Sequence, residues 1–292
     1  MKAFLKLALL SASSVFSVNY ACAAEGAEHV AALKPKLGTS KSVAVPLQTS
    51  GGPSATPYTI PPDVTEIVDG MFRHKYDTPS ITIPASVKII GEKAFSGCSL
   101  QQVILQEGLT EIGKFAFSGC WLLQSINIPA SVTTIKEDAF FNCKGLAAVN
   151  FATDSNLKEI GADAFNGCSN LKQIVIPASV QRIGERISNG RMTITLSKGS
   201  LSSLYDNGKC SDETLCNLLK RLFDTYNVQN VIGSKVILIS PLGETIECES
   251  TGAETVDYCT TLQWQCSRNG AAPYTLELSD PVICDALWTN FN

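Results

Sequence analysis

Histidine is scarce in this chain, with only His29 and His74 among 292 residues. Zinc sites and nucleophilic catalysis both draw on the imidazole ring, so this scarcity weakens the case for either. Basic residues are not in excess, since 23 Lys and Arg stand against 27 Asp and Glu and the net charge is -4. Nucleic acid and anionic membranes are therefore poor partner candidates.

Long apolar runs are also missing after the first residues of the chain. Lys2 and Lys6 precede an apolar stretch over residues 7–18, and the small-residue pattern "ACAA" follows it. This order predicts a signal peptide over residues 1–23, because the apolar stretch is short for a membrane span. We expect a secreted, periplasmic or extracellular-surface protein with no membrane span after signal removal.

Residues 24–58 have no apolar periodicity and are rich in Ser, Thr, Gly and Pro, as in "GTSKSVAVPLQTSGGPSATP". Such a composition predicts a flexible linker. A strand within "SVAVPL" is a weaker alternative.

The middle of the chain repeats itself with a period of 22–25 residues. Each copy contains an L-x-x-[VI]-x-[LIF] frame, as at Leu100, Val103 and Leu105. Alternation at the last two positions predicts a short strand with one buried face, and the Ala94–Phe95 pair fits a single helical turn. One copy cannot bury its apolar side alone, so the copies should stack into a solenoid of about six turns.

The repeat pattern "IPASVxxIGxxAFxGC" around this frame resembles the BspA-like class of leucine-rich repeats of bacterial surface antigens. The resemblance covers residues 59–196. It implies an exported, non-catalytic interaction protein, adhesin-like in several family members, with a protein or glycan on a cell surface or matrix as its partner. We expect no cofactor and a monomer.

Four cysteines recur in register at intervals of 22, 23 and 25 residues: Cys98, Cys120, Cys143 and Cys168. A thiolate nucleophile needs a base that these copies lack, and one zinc ion cannot collect ligands stacked along a line. Disulfides between neighbouring turns are an open alternative. A ladder of buried free thiols is favoured, because the terminal copies replace the cysteine with Lys75 and Arg191, whose long side chains can reach water.

The outward strand positions should align into a surface rich in amides and hydroxyls. The partner-binding candidates on or beside the strands are Gln101, Gln102, Ile104, Gln124, Ser125, Asn127, Ala148, Asn150, Lys172 and Gln173. Trp121 is another candidate, either as an exposed anchor or as a ring packed on a neighbouring turn. The segment "ATDSN" lengthens one copy by two residues and is either a specificity loop or a tolerated insertion. A solvated face without function is the plainer interpretation of the whole surface.

Residues 197–292 are predicted to form a small α+β, disulfide-rich domain. Ser211 is a candidate helix N-cap, and the apolar face of that helix is Leu215, Leu218, Leu219, Leu222, Phe223 and Tyr226. Three disulfides are expected among six cysteines, namely Cys210, Cys216, Cys248, Cys259, Cys266 and Cys284. The alternative function is a secreted hydrolase with its site in this domain and the repeats as a targeting module.

Overall fold

The computed structural model describes residues 58–188, 190–204, 206, 210–223, 232–256 and 259–278. The predicted signal peptide, the predicted linker up to residue 57, Tyr226 and Cys284 lie outside these ranges. The helical segments within them lack the length and apolar content that a membrane span requires.

The short strands of the repeats stack in parallel as one six-stranded ladder, which confirms the predicted solenoid of about six turns. Each short strand buries its second residue, as Ile90, Ile112 and Ile135 do, because that side chain points into the solenoid. The six strands are β2 (Glu66–Ile67), β4 (Ile89–Ile90), β6 (Glu111–Ile112), β8 (Thr134–Ile135), β10 (Glu159–Ile160) and β12 (Arg182–Ile183).

The longer strands form the second side of the solenoid and also run parallel. They are β1 (Tyr58–Thr59), β3 (Ser80–Ile83), β5 (Gln102–Leu105), β7 (Ser125–Ile128), β9 (Ala148–Phe151), β11 (Gln173–Ile176) and β13 (Thr193–Leu196). Unlike the short-strand ladder, this side is divided into separate sheets, with breaks between β5 and β7 and between β9 and β11.

The segments predicted as single helical turns are tight turns with a left-handed residue, such as Lys93 at φ 55°. Successive backbone N–H groups there donate alternately to a carbonyl of their own turn and to a carbonyl of the next turn. The Ala94 N–H donates to the Gly91 carbonyl of its own turn at 3.3 Å, and the Phe95 N–H donates to the Ala116 carbonyl of the next turn at 2.8 Å. A continuous helix would keep every bond within the segment, so this alternation is what ties neighbouring turns together at the corner.

A column of phenylalanine rings runs through the core of the solenoid. Successive rings stack with centroids 5.1–5.4 Å apart and planes within 7° of parallel. The column consists of Phe72, Phe95, Phe117, Phe140 and Phe165, all of them buried. The offset implied by that spacing is favourable for aromatic pairs, so the rings add to the stabilisation from buried area.

The described residues after β13 extend the sheet of the solenoid rather than starting a separate one. β14 (Lys235–Ile239) pairs parallel with β13, and β15 (Thr245–Val256), β16 (Cys259–Arg268) and β17 (Tyr274–Leu278) continue antiparallel. The predicted boundary between residues 196 and 197 therefore falls within one continuous sheet.

A helix covers the end of the repeat core. α1 (Asp212–Leu222) begins after the predicted N-cap, where Ser211 Oγ accepts a hydrogen bond from the Thr214 N–H at 3.1 Å. The predicted apolar face is buried from Leu215 to Phe223. Its last residues join the turn ladder, because the Arg186 N–H donates to the Arg221 carbonyl at 2.6 Å. The helix thus closes the apolar end that a solenoid would otherwise expose.

Two of the six late cysteines form a disulfide, the Cys248–Cys266 bridge, which links β15 to β16 across the sheet. Cys210 and Cys216 are free thiols, in contrast to the predicted set of three bridges. Cys210 is buried beneath Arg268, whose guanidinium donates to the Cys210 carbonyl at 2.8 Å. Among the described residues, this bridge adds to the antiparallel pairing that already holds the hairpin in register.

Candidate functional site

The outward residues of the long strands form two rows. The first contains Gln102, Ser125, Ala148 and Gln173, and the second contains Ile104, Asn127, Asn150 and Val175. Within each sheet the register aligns these residues, and Asn150 Nδ2 donates to Asn127 Oδ1 at 3.0 Å in the neighbouring turn. The rows continue over β13 through Thr193 and Thr195. Sequence reasoning missed this extension, because the last copy is truncated.

The two strand sides of the solenoid differ in charge. The rows just described hold no charged side chain between β3 and β13, whereas the short strands carry Glu and Arg outward. Ion pairs link turns on and beside that second side, such as Arg182 to Glu159 at 2.8 Å and Lys114 to Glu137 at 2.8 Å. Ionic side chains are expensive to desolvate, so the uncharged side is the one better suited to contact a partner.

Four predicted candidates lie beside the rows rather than in them. Gln101, Gln124 and Lys172 are exposed just before their strands, and Lys172 Nζ donates to the Ser169 carbonyl at 2.7 Å. Trp121 is 55% exposed on the turn after Cys120. The indole is therefore available to solvent, in line with the anchor interpretation rather than the packed one.

A groove of about 730 Å³ lies where β9 and β11 are not paired. It brings together three predicted candidates, Ala148, Asn150 and Gln173, with the longer loop that contains Thr153 and Asp154. The sequence signal for this loop was the two extra residues of "ATDSN". The groove itself could not be predicted, because it depends on the pairing lost between two turns.

Comparison with known proteins identifies the repeats. Residues 65–195 match the family model of the BspA type leucine rich repeat region in six copies. These residues form a BspA-type leucine-rich-repeat region. The resemblance inferred from the repeat motif is thereby confirmed.

Solved structures similar to this BspA-type region come from several bacteria. The pneumococcal vaccine antigen PcpA is 30% identical, with 51% of this chain and 42% of PcpA covered and a TM-score of 0.48. A Treponema pallidum (T. pallidum) leucine-rich-repeat protein is 31% identical, with 40% and 58% covered and a TM-score of 0.37. This chain thus spans less than two thirds of either protein. No curated protein sequence is significantly similar to it.

The four cysteines of the BspA-type repeats are buried thiols. Each donates to the carbonyl of the phenylalanine in the preceding turn, from Cys98 to Phe72 at 2.8 Å through Cys168 to Phe140 at 3.2 Å. Burial raises the pKa of the Cys98 thiol to about 11 and raises those of Cys120 and Cys143 well above their usual range. Such thiols are not the ionised form that a nucleophile or a metal ligand requires.

An ion cluster centred on Arg268 lies in the C-terminal part, the region to which the alternative hydrolase function was assigned. Arg268 contacts Asp212 at 2.7 Å and Glu244 at 3.5 Å, and the Tyr274 hydroxyl donates to Asp212 at 2.9 Å. Hydrogen bonds from Arg268 and Tyr274 lower the pKa of Asp212, so this carboxylate is a poor general acid. Across the described ranges, no three His, Cys, Asp or Glu side chains converge as metal ligands.

Proposed function

We propose that this chain is an exported, non-catalytic interaction scaffold that binds a protein on a cell surface or matrix. The contact surface is the outward side of the long strands, from β3 to β13. The uncharged character of these rows, set against the ionic short-strand side, is the observation that carries the proposal.

The strand rows have the composition of a protein interface. Ile104 is 47% exposed and Val175 is 55% exposed, and both stand among amide and hydroxyl side chains. Exposed apolar groups gain free energy when a partner covers them, and the surrounding amides can replace their bonds to water with bonds to the partner. The six long strands from β3 to β13 also present an extended area, as a specific interface requires.

Export is supported by two features of the chain. The first residues have the order of a signal peptide, with a positive start, an apolar stretch and small residues. The Cys248–Cys266 bridge belongs in an oxidising compartment.

Two isoleucines at exposed strand positions provide a matched test. Ile104→Lys places a charge in the uncharged rows, and Ile89→Lys places the same charge on the ionic side, where Ile89 is 38% exposed. We expect binding to an array of purified matrix proteins and cell-surface ectodomains to fall at least tenfold for Ile104→Lys and to persist for Ile89→Lys. Equal binding by both variants, or no binding by the parent protein, would sink the proposal.

A further inference from the structure

The groove between β9 and β11 includes residues of the strand rows, such as Asn150 and Gln173, and adds Phe151 and the loop over residues 152–155. Its volume of about 730 Å³ is that of a small-ligand site. One wall is β9, the other is β11, and the loop over residues 152–155 closes one end. A groove of this volume suits a compact chemical group better than a whole protein surface.

The floor of the groove contains an aromatic ring that other turns do not have. Phe151 occupies the register position of Ile128, which is 1% exposed, yet Phe151 is only partly buried against the core. The equivalent residue of the next turn, Ile176, is fully buried. Part of the Phe151 ring is thus available as an apolar platform, and the negative face of such a ring attracts C–H groups.

Polar groups without partners surround this platform. Within the described part of the chain, the side chains of Thr153, Asp154 and Gln173 make no hydrogen bond or ion pair. The Asn150 amide donates to Asn127 and so retains its own carbonyl oxygen as an acceptor. Amides both donate and accept, and a carboxylate accepts strong hydrogen bonds from hydroxyls. The set therefore matches a ligand with several adjacent hydroxyl groups.

The charge of the groove further limits which classes of ligand fit it. Its lining contains one ionic side chain, Asp154, and no Lys, Arg or His. Phosphate, sulfate and carboxylate groups would meet a negative charge with no cation to balance it. An apolar ligand would leave the free amides and hydroxyls without partners. A neutral, hydroxyl-rich ligand satisfies both conditions.

We propose that the groove between β9 and β11 binds a neutral sugar residue of an oligosaccharide. The sugar ring lies on Phe151, and its hydroxyls bond to Asp154, Gln173 and Asn150. This site goes beyond the protein contact proposed above, because it adds Phe151 and residues 152–155, which lie outside the strand rows, to the row residues Asn150 and Gln173.

The full chain is tested on an array of neutral, sialylated and sulfated oligosaccharides, followed by titration of the bound glycan. We expect retention of neutral glycans and weaker binding of the sialylated and sulfated ones. Asp154→Ala and Gln173→Ala should each lower affinity about tenfold, the loss expected when a hydrogen bond of about 1.4 kcal/mol is removed.

Matched variants separate binding from folding. Phe151→Leu introduces the residue that Leu105 supplies in another turn, so it should abolish glycan binding with little loss of stability. Gln102→Ala, at the equivalent outward position outside the groove, should bind as the parent does. The proposal would be overturned if the chain retained none of the neutral glycans or preferred acidic ones. It would also be overturned if Gln102→Ala lowered glycan affinity as much as Gln173→Ala does. Ile104→Lys tests the protein contact separately, since Ile104 does not line the groove.

Discussion

The Cys143 thiol donates to the carbonyl oxygen of Phe117 in the preceding turn, with 3.0 Å between sulfur and oxygen. Cys143 is fully buried and its equivalents in three other turns make the same contact. Where the series reaches the last turn, Arg191 takes the position, is exposed, and donates instead to the Ile232 carbonyl at 2.8 Å. The thiol position is therefore an element of packing between turns.

Cysteine alkylation should distinguish this ladder from bridges. In the native protein we expect Cys98, Cys120 and Cys143 to resist iodoacetamide at pH 8, because burial blocks access and raises the pKa of each thiol. The half-buried Cys216 is the internal control and should react faster. After unfolding without reductant, all four repeat thiols should label while Cys248 and Cys266 stay protected. Protection of any repeat cysteine in the unfolded chain would instead indicate a bridge.

The stacked rings allow a comparison between two adjacent phenylalanines. Phe140 lies in the core column between Phe117 and Phe165, whereas Phe141 is 36% exposed. We expect Phe140→Ala to lower the free energy of unfolding by about 3–5 kcal/mol, through the lost buried area and the cavity left behind. Phe141→Ala should cost less than about 1 kcal/mol. Urea denaturation monitored by circular dichroism measures both, and similar losses would contradict the assignment of the column.

The strand frame and the buried side of the repeat were predictable because they depend on local periodicity. Val103 and Leu105 face inward since alternate residues of any strand do so. The left-handed turn was not predictable at Lys93, because lysine gives no signal for positive φ. Four residues later Gly97, at φ 69°, does give one. The spacing of the Ala94–Phe95 pair is shared by helices and such turns, which is why a helical turn was predicted.

The other features that the sequence did not predict depend on contacts between distant parts of the chain. Nothing local to residues 235–239 indicates that β14 pairs with β13 and extends the solenoid sheet. The groove has the same origin, since it requires β9 and β11 to be neighbours that do not pair. Its loop was visible as an insertion, but the partial exposure of Phe151 depends on packing that a frame position alone does not determine.

The Cys248–Cys266 bridge should stabilise the C-terminal strands β15 and β16 more than the repeats of the solenoid. It closes a loop with a sequence separation of 18 residues, for which chain-entropy estimates give about 3 kcal/mol. Replacing both cysteines with alanine should speed amide hydrogen exchange in β15 and β16 by about a hundredfold. Exchange in β6 and β8 should stay unchanged, because a repeat array transmits stability mainly between neighbours. If hydrogen exchange were equally faster in β6, β8, β15 and β16, the C-terminal strands and the repeats would unfold as one unit.

Asp138 provides a pH-dependent prediction. It is 8% exposed, and burial together with the nearby Asp163 and Glu137 carboxylates raises its pKa from 3.8 to about 6. The folded state therefore holds this proton more tightly than the unfolded state does. The stabilisation from protonation is complete below pH 3.8 and is lost as the pH rises through about 6, so at pH 7 the charged carboxylate destabilises the fold.

Asp138→Asn should accordingly raise the free energy of unfolding by about 1–2 kcal/mol at pH 7. Asparagine keeps the shape and tolerates the left-handed φ of 56° at this position. The gain should shrink towards zero as the pH falls from 7 to 4, because the wild-type aspartate then becomes neutral. Asp163→Asn is the control and should lower the free energy of unfolding. Asp163 pairs with Arg186 at 2.7 Å, and the substitution removes this ion pair. A gain from Asp138→Asn that did not depend on pH would show that the carboxylate charge is not its cause.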